Sequence, residues 1–168
     1  MNKEEFVKHF GSVYEHSAWV AEQAFERTNV DIADLPALTQ ALRREVDESG
    51  QLHQLKLLCA HPDLAGKAAV TGNLTADSTS EQAGAGLDQC TSEEFSRFEQ
   101  FNTRYTEQFD FPFIMAVKGA NRHLILEAFE KRLKNDRDTE FKTALAEVHK
   151  IAGFRLAAWF EEKSGSVS

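Results

Sequence analysis

One histidine of this chain stands where its imidazole could move protons. His61 ends the largely apolar run Leu55 to Ala60 and is followed directly by Pro62. Proline disfavours helical backbone angles in the residue before it, so the sequence predicts that His61 lies at the end of a helix. An imidazole with an ordinary pKa of about 6.5 suits general acid–base chemistry at neutral pH. The alternative is a histidine that caps the helix and interacts with its dipole.

A carboxylate further along the chain has two possible roles. Glu81 stands three residues after Ser78 and directly before Gln82. It could take part in catalysis, but its spacing from Ser78 is also that of a capping box, in which Glu81 would bind the backbone N–H of the residue it caps. Gly84 and Gly86 are predicted to lie in the same helix, where each costs about 1 kcal/mol relative to alanine. Close helix packing or a bound ligand is therefore expected beside them.

An arginine interrupts the apolar face of the last predicted helix. Arg155 projects into the middle of an arc formed by Phe141, Leu145, Val148, Ile151, Ala152, Leu156 and Trp159. A buried guanidinium needs acceptors, because arginine does not lose its proton. It could pair with an internal acid or a helix C-terminus, or extend to the rim of the core. Alternatively, its planar fork could bind a carboxylate or a ureido carbonyl at the floor of a pocket.

Other reactive side chains give weaker signals. Lys67 could form a Schiff base, but nothing marks it as desolvated, and a solvated lysine is the preferred interpretation. The remaining histidines show no mutual i, i+4 spacing and give little support to a zinc site; they are His9, His16, His53, His123 and His149. Cys59 and Cys90 lack CxxC spacing, which favours neither a zinc site nor a disulfide framework and fits a reducing cytoplasm.

The elements that must position these residues are predicted to be helices, and the fold class is predicted as all-α, in a single compact multi-helix domain. Thr91 with Glu94 predicts a capping box at the start of a helix that ends near Asp110. Its aromatic face is predicted to be core and consists of Phe95, Phe98, Phe101 with Asn102, Tyr105 and Phe109. The other helices are expected over roughly 3–10, 17–28, 36–49, 51–60, 121–134 and 138–162, with Asp34 before Pro36 at the start of the third.

One segment has strand-like composition. Phe111 to Val117 is rich in aromatic and branched residues, but Pro112 lies inside it and has no N–H to donate to a sheet. We therefore predict an extended loop or a short helix that lines a pocket.

Length and charge narrow the possible functions. A chain of 168 residues has the usual size of one domain, predicted over 1–163 with a flexible tail at 164–168. The 27 acidic and 19 basic residues give a net charge of -8 at pH 7, which argues against nucleic acid as a partner. No long apolar run follows the charged N-terminus, so neither a signal peptide nor a membrane span is predicted, and the cytoplasm is the expected location.

Four motifs in this order resemble the 2-oxo-4-hydroxy-4-carboxy-5-ureidoimidazoline (OHCU) decarboxylases of urate breakdown. They are His61-Pro62, Ser78 with Glu81-Gln82, Phe111-Pro112-Phe113-Ile114, and Arg155 of the last helix. The resemblance runs from about Phe6 to Trp159. It implies an all-α fold, a small-molecule substrate and a homodimer. The segment Gly11 to Trp19 resembles a further family stretch, for which we expect a packing or supporting role.

The resemblance also implies roles for individual residues. His61, Glu81 and Arg155 would be catalytic, and the substrate-binding residues would be Pro62, Ser78, Gln82, Phe111 and Ile114. The electron pair released as carbon dioxide leaves would enter a ring imine of the substrate itself, so neither a cofactor nor a metal is implied. Asp110 stands where the family usually has glycine; aspartate tolerates a positive φ better than most residues, so we expect at most a slight shift of Phe111.

Two other classes of function also fit the residues. A non-catalytic helical module could use the same pocket to bind a partner helix or a small purine-derived ligand, and its binding would survive loss of His61. A metal-assisted amidohydrolase could use His61 and Asp63, and chelators would then inactivate it.

Overall fold

The helices account for most of the chain. The computed structural model describes residues 1–66 and 72–165. In chain order the α-helices of this described part are α1 (Lys3–Phe10), α2 (Trp19–Arg27), α3 (Leu35–Asp47), α4 (Gln51–Cys59), α5 (Ala76–Gly84), α6 (Ser92–Phe109), α7 (Arg122–Arg132) and α8 (Arg137–Gly165). A 3-10 turn at Leu87–Gln89 lies between α5 and α6. Since no strand occurs within those ranges, the predicted all-α class is confirmed.

Two predicted helix starts are present as expected. The side chain of Asp34 accepts a hydrogen bond from the backbone N–H of Ala37 at 3.0 Å, at the start of α3. At α6 the hydroxyl of Thr91 accepts from the N–H of Glu94 at 3.1 Å, and the Glu94 carboxylate accepts from the N–H of Thr91 at 3.0 Å. Each such cap contributes about 1 kcal/mol and fixes where its helix begins.

The contacts of the chain divide it into two compact units. The first consists of Met1–Ala60 and Val148–Ser168, and the second of His61–Glu147. Helix α8 therefore belongs to the second unit over its first part and to the first unit from Val148 onward. The predicted domain over 1–163 stays a prediction; α8 extends to Gly165, and residues 166–168 lie outside the described part.

Aromatic residues fill the core of the first unit. The rings of Phe6 and Phe10, one turn apart on α1, lie with their centroids 4.9 Å apart. Trp159 of α8 packs edge-on against Phe10 at 4.9 Å. Leu38 and Val46 of α3 are fully buried in the same unit. Burial of these apolar side chains away from water is the main source of stability for the short helices α1 to α4.

The core of the second unit forms around α6 and α7. Phe98, Tyr105 and Phe109 lie on the buried face of α6, which confirms the predicted core face, although Phe95 and Phe101 are only partly buried. Tyr105 also contacts the rings of the segment that follows the helix.

The segment after α6 is an extended loop, as predicted. Phe111 to Val117 contains neither helix nor strand. Asp110, which begins it, has φ 65° and ψ 18°, the left-handed conformation that a glycine would adopt most easily. The chain therefore turns out of α6 without the glycine, and Phe113 stacks on Phe129 with ring centroids 3.7 Å apart.

Candidate functional site

His61 begins the second unit directly after the end of a helix. Helix α4 ends at Cys59 with Ala60 as its C-cap, so the predicted position of His61 at a helix end is confirmed. The histidine is buried, with 9% of its surface exposed, and Pro62 is partly buried. Burial restricts the rotamers of an imidazole and excludes bulk water from it, which is the setting that proton transfer to a defined atom requires.

The turn after Pro62 is held by side chains from two helices. The N–H of Ala65 donates to Oε1 of Gln82 at 3.0 Å, and Nε2 of Gln82 donates to the carbonyl of Asp63 at 3.3 Å. Nδ2 of Asn102 donates to the carbonyl of Leu64 at 2.9 Å. Burial raises the pKa of the Asp63 carboxyl. The bonds of Gln82 join the turn that follows the His-Pro motif to α5.

Helix α5 presents the second motif. Ser78 and Gln82 lie one turn apart and are both buried, whereas Glu81 is partly buried. The N-cap of α5 is Thr75, whose side chain accepts from the N–H of Ser78 at 3.2 Å. The capping-box interpretation of Glu81 is therefore wrong: Ser78 lies inside the helix and does not cap it.

The two glycines near the end of α5 differ in their surroundings. Gly86 lies beyond the helix, contrary to the prediction, and has φ 76°, which explains a glycine there. Gly84 is the last residue of α5, and a Cβ at this position would meet no atom of residues 1–66 or 72–165 within 4 Å. Close packing against this part of the chain therefore does not explain Gly84.

A cavity opens beside α5 within the second unit. Its volume is about 390 Å³, and its lining includes Gln82 and Ala83 of α5 together with Leu87, Cys90 and Phe95. The lining is mainly apolar, with the amide of Gln82 as a polar group. Cys90 is free, and burial raises the pKa of its thiol, which favours the protonated form at neutral pH.

The aromatic motif lies deeper in the second unit than a pocket wall would. Phe111 is fully buried and contacts the rings of Phe109, Tyr105 and Phe141, with centroids about 6 Å apart. Ile114 is 3% exposed, and its carbonyl accepts from Nη1 of Arg132. The substrate-binding roles expected for Phe111 and Ile114 stay predictions.

A buried ionic cluster behind this motif was not predicted from the sequence. Nε of Arg132 lies 2.7 Å from Oε1 of Glu140, which is fully buried, and the hydroxyl of Tyr105 donates to the same oxygen at 2.6 Å. Burial raises the pKa of Tyr105. Helical spacing did indicate that Glu140 is buried. It lies four residues before Ala144 and eight before Val148 on the same face of α8, and both of these residues are buried.

Arg155 lies in the first unit and has acceptors there. Nη2 is 2.7 Å from Oε2 of Glu15, and Nη1 donates to the carbonyl of Ser12 at 3.1 Å. The Arg155 side chain is 6% exposed and that of Glu15 is 1% exposed. The ion pair with an internal acid is therefore present. Both partners belong to the segment Gly11 to Trp19, for which we expect a supporting role. The catalytic role that the resemblance implies for Arg155, as a ligand that orients the substrate, stays a prediction.

A second chain of polar groups in the first unit was also not predicted. The hydroxyl of Tyr14 lies 2.7 Å from Nδ1 of His149, whose Nε2 lies 2.9 Å from Oδ1 of Asp47. Because a carboxylate only accepts, Nε2 carries the proton and neutral His149 accepts from the Tyr14 hydroxyl at Nδ1. Burial lowers the pKa of His149 and raises that of Tyr14.

Three further predictions concern metals, membranes and a lysine. In the part of the chain that the structure describes, no three His, Cys, Asp or Glu residues are grouped so that they could hold a metal ion. The helices there are also too short or too polar to cross a membrane. Lys67 lies outside the described residues.

Comparison with known proteins gives one consistent family. A family model described as OHCU decarboxylase matches residues 1–157. The 2-oxo-4-hydroxy-4-carboxy-5-ureidoimidazoline decarboxylase of Haloferax volcanii is 41% identical over 163 residues, which cover 97% of this chain and 94% of the relative. The mouse protein of the same name is 35% identical over 153 residues, covering 90% of this chain and 84% of the relative.

Two solved structures are also similar. A crystal structure of (S)-allantoin synthase matches with a TM-score of 0.75 and 33% identity, over 94% of this chain and 50% of that one, so this chain spans half of its length. A crystal structure of OHCU decarboxylase in the presence of (S)-allantoin matches with a TM-score of 0.69 over 96% and 99% of the two chains. At 21% identity the second match concerns the fold alone.

Proposed function

The chain belongs to the OHCU decarboxylase family, and we propose that it converts 2-oxo-4-hydroxy-4-carboxy-5-ureidoimidazoline to (S)-allantoin and carbon dioxide in urate degradation. One structural observation carries the proposal beyond the family match. The turn that follows His61 is hydrogen-bonded to Gln82, so two of the motifs that resemble the family lie together in one unit. The turn that follows the buried His61 is thereby hydrogen-bonded to α5.

The reaction needs no external electron sink. The carboxylate and a hydroxyl of the substrate share one ring carbon, next to a ring imine. When the bond to the carboxylate breaks, carbon dioxide leaves, and the electron pair forms a carbon–carbon double bond while the imine electrons move to the ring nitrogen, which takes up a proton. The hydroxyl then loses its proton to become a carbonyl, and the former imine carbon gains a proton. The protein therefore has to orient the substrate, exclude water and move protons.

We assign the proton transfers to His61. Its imidazole would either polarise the substrate hydroxyl or deliver the proton to the ring carbon. Its burial supports this role, because a fixed imidazole can deliver a proton to one face only. Delivery from one face gives (S)-allantoin, whereas the uncatalysed reaction gives both enantiomers.

The residues of α5 are proposed to bind the polar edge of the substrate. Glu81 would accept hydrogen bonds from ureido or ring N–H groups, and Ser78 would bind a neighbouring polar group. Gln82 gives its Oε1 and one Nε2 hydrogen to the turn, so its second Nε2 hydrogen is the one proposed to donate to the substrate. Pro62, Phe111 and Ile114 would complete the apolar surroundings.

Arg155 is proposed to orient the anionic or carbonyl end of the substrate. Its planar fork suits a carboxylate or a ureido carbonyl better than a lysine would. The contacts with Glu15 and the Ser12 carbonyl support a fixed orientation of the guanidinium, since they restrain a long side chain that otherwise has many rotamers.

We further propose that the protein works as a cytoplasmic homodimer that binds neither nucleic acid nor membranes. The net charge of -8 supports the lack of nucleic acid binding, because phosphate groups would be repelled. Light scattering should give a mass of about twice the 18.9 kDa of one chain, and a single-chain mass would contradict the dimer.

The reaction is tested by producing the unstable substrate in place from urate, urate oxidase and hydroxyisourate hydrolase. Added protein should accelerate both the loss of the substrate absorbance and the release of carbon dioxide above the enzyme-free rate. If the substrate decays at the enzyme-free rate but allantoin still binds, the protein is a binding module and the proposed activity is wrong.

A further inference from the structure

The turn after the His-Pro motif is strained. Ala65 has φ 51°, a left-handed conformation that residues with a Cβ rarely adopt. Such a conformation persists when the surrounding structure over-determines it. Three side-chain hydrogen bonds do so here, two from Gln82 and one from Asn102. Backbone strain of this kind is common where a protein fixes a functional geometry.

Asn102 is the unexpected one of the two side chains that hold the turn by hydrogen bonds. It lies on the aromatic face of α6, between fully buried Phe98 and Tyr105, and is itself 5% exposed. Its Nδ2 donates to the Leu64 carbonyl at 2.9 Å. Within residues 1–66 and 72–165, its Oδ1 is buried without a hydrogen-bond partner. An unsatisfied buried acceptor costs free energy, so the bond from Nδ2 to the Leu64 carbonyl is made at a cost on the oxygen side of the same amide.

We propose that Asn102 is a positioning residue for catalysis, which holds the Leu64 carbonyl and thereby fixes the turn that carries His61. The proposal rests on the proposed function, since it concerns the placement of the proton-transferring imidazole. Leu64 is three residues from His61, with Pro62 between them as a stiff link. A shift of the turn therefore displaces the imidazole, and small displacements of a catalytic group reduce the rate strongly.

The test is Asn102→Leu, which removes the donor and keeps the volume. We expect kcat for (S)-allantoin formation to fall by about 10- to 100-fold, with KM changed by less than about twofold. The matched control is Gln108→Leu on the same helix, because Nε2 of Gln108 also donates to a loop carbonyl, that of Leu133, at 2.9 Å. The control variant should lose stability but keep kcat.

A second variant decides the question if Asn102→Leu does not fold. Asn102→Ala leaves space for a small molecule, so acetamide, which has N–H donors, should restore part of kcat, whereas acetone, of similar size without a donor, should not. Three results would overturn the positioning role. They are a normal kcat in either folded variant, an equal loss of kcat in Asn102→Leu and Gln108→Leu, and an equal recovery of kcat with acetone and acetamide. Lack of turnover by the wild-type protein would instead contradict the proposed function itself.

Discussion

The buried pair Arg132–Glu140 allows a quantitative prediction about stability. Glu140→Gln keeps the size of the side chain but removes its charge, so the buried guanidinium at 2.7 Å loses its counterion. In the wild-type protein, Nδ2 of Asn135 donates to Oε2 of Glu140 at 2.9 Å. An N–H donor of the glutamine amide at the place of Oε2 would face this donor and lose the hydrogen bond. Breaking a buried ion pair on one side costs about 3–5 kcal/mol.

The expected cost translates into a large shift of the melting temperature. For a chain of this size, 1 kcal/mol corresponds to about 2–4 °C, so Glu140→Gln should lower Tm by roughly 6–20 °C. Scanning calorimetry at neutral pH measures this shift, and urea denaturation gives the free energy of unfolding. The Ile114 carbonyl, which accepts from Arg132, should become mobile as the guanidinium loses its fixed position.

A matched control separates the ion pair from the amide substitution itself. Glu130 pairs with Arg97 at 3.4 Å, and both side chains are about half exposed. Glu130→Gln should therefore cost less than about 1 kcal/mol. Equal shifts of Tm in Glu140→Gln and Glu130→Gln would refute the reasoning, because burial would then make no difference to the contribution of an ion pair to the free energy of unfolding.

Three more predictions follow from the other sites. Glu81→Gln should abolish activity without changing Tm, because α5 is capped by Thr75 and not by Ser78 with Glu81. A parallel loss of activity and Tm would contradict a role of Glu81 in chemistry. Arg155→Lys should raise KM, because a lysine cannot reproduce the planar fork, and unchanged kinetics would limit Arg155 to its ion pair with Glu15. Burial lowers the pKa of His149 below the ordinary 6.5, so the unfolded state takes up this proton more readily, and stability is lost as the pH falls below about 6.5. Thermal melts between pH 7 and 5 should show a flatter profile for His149→Gln, and an unchanged profile would contradict this assignment.

Local signals in the sequence were sufficient for most helices. The predicted start of α6 at the Thr91–Glu94 box is correct, because a capping box satisfies backbone donors by contacts only three residues apart. The left-handed Asp110 was expected only from the resemblance, because the family usually has glycine at this position. The same spacing gave a wrong interpretation at Ser78 and Glu81, because Thr75 caps this helix. A serine inside a helix can also stand three residues before a glutamate, so the spacing alone does not identify a cap.

Contacts over long sequence separations could not be foreseen. The apolar arc of α8 indicated that Arg155 needs an acceptor, but the sequence did not identify Glu15, which lies 140 residues away. Asn102 was visible as a polar residue on an aromatic face, yet its bond to Leu64 depends on how a loop passes over α6. Periodicity shows which face is buried, whereas the partner of a buried polar group depends on tertiary packing.

The most direct test of the central claim is circular dichroism at an allantoin band during turnover of substrate generated in place. The wild-type protein should give a rapid (S)-allantoin signal, and His61→Ala should lower kcat by at least about 10²-fold. His123→Ala, at an exposed position of α7, is the control and should retain full activity. A slow, optically silent decay with the wild-type protein, or a normal rate with His61→Ala, would contradict the assignment of proton transfer to His61.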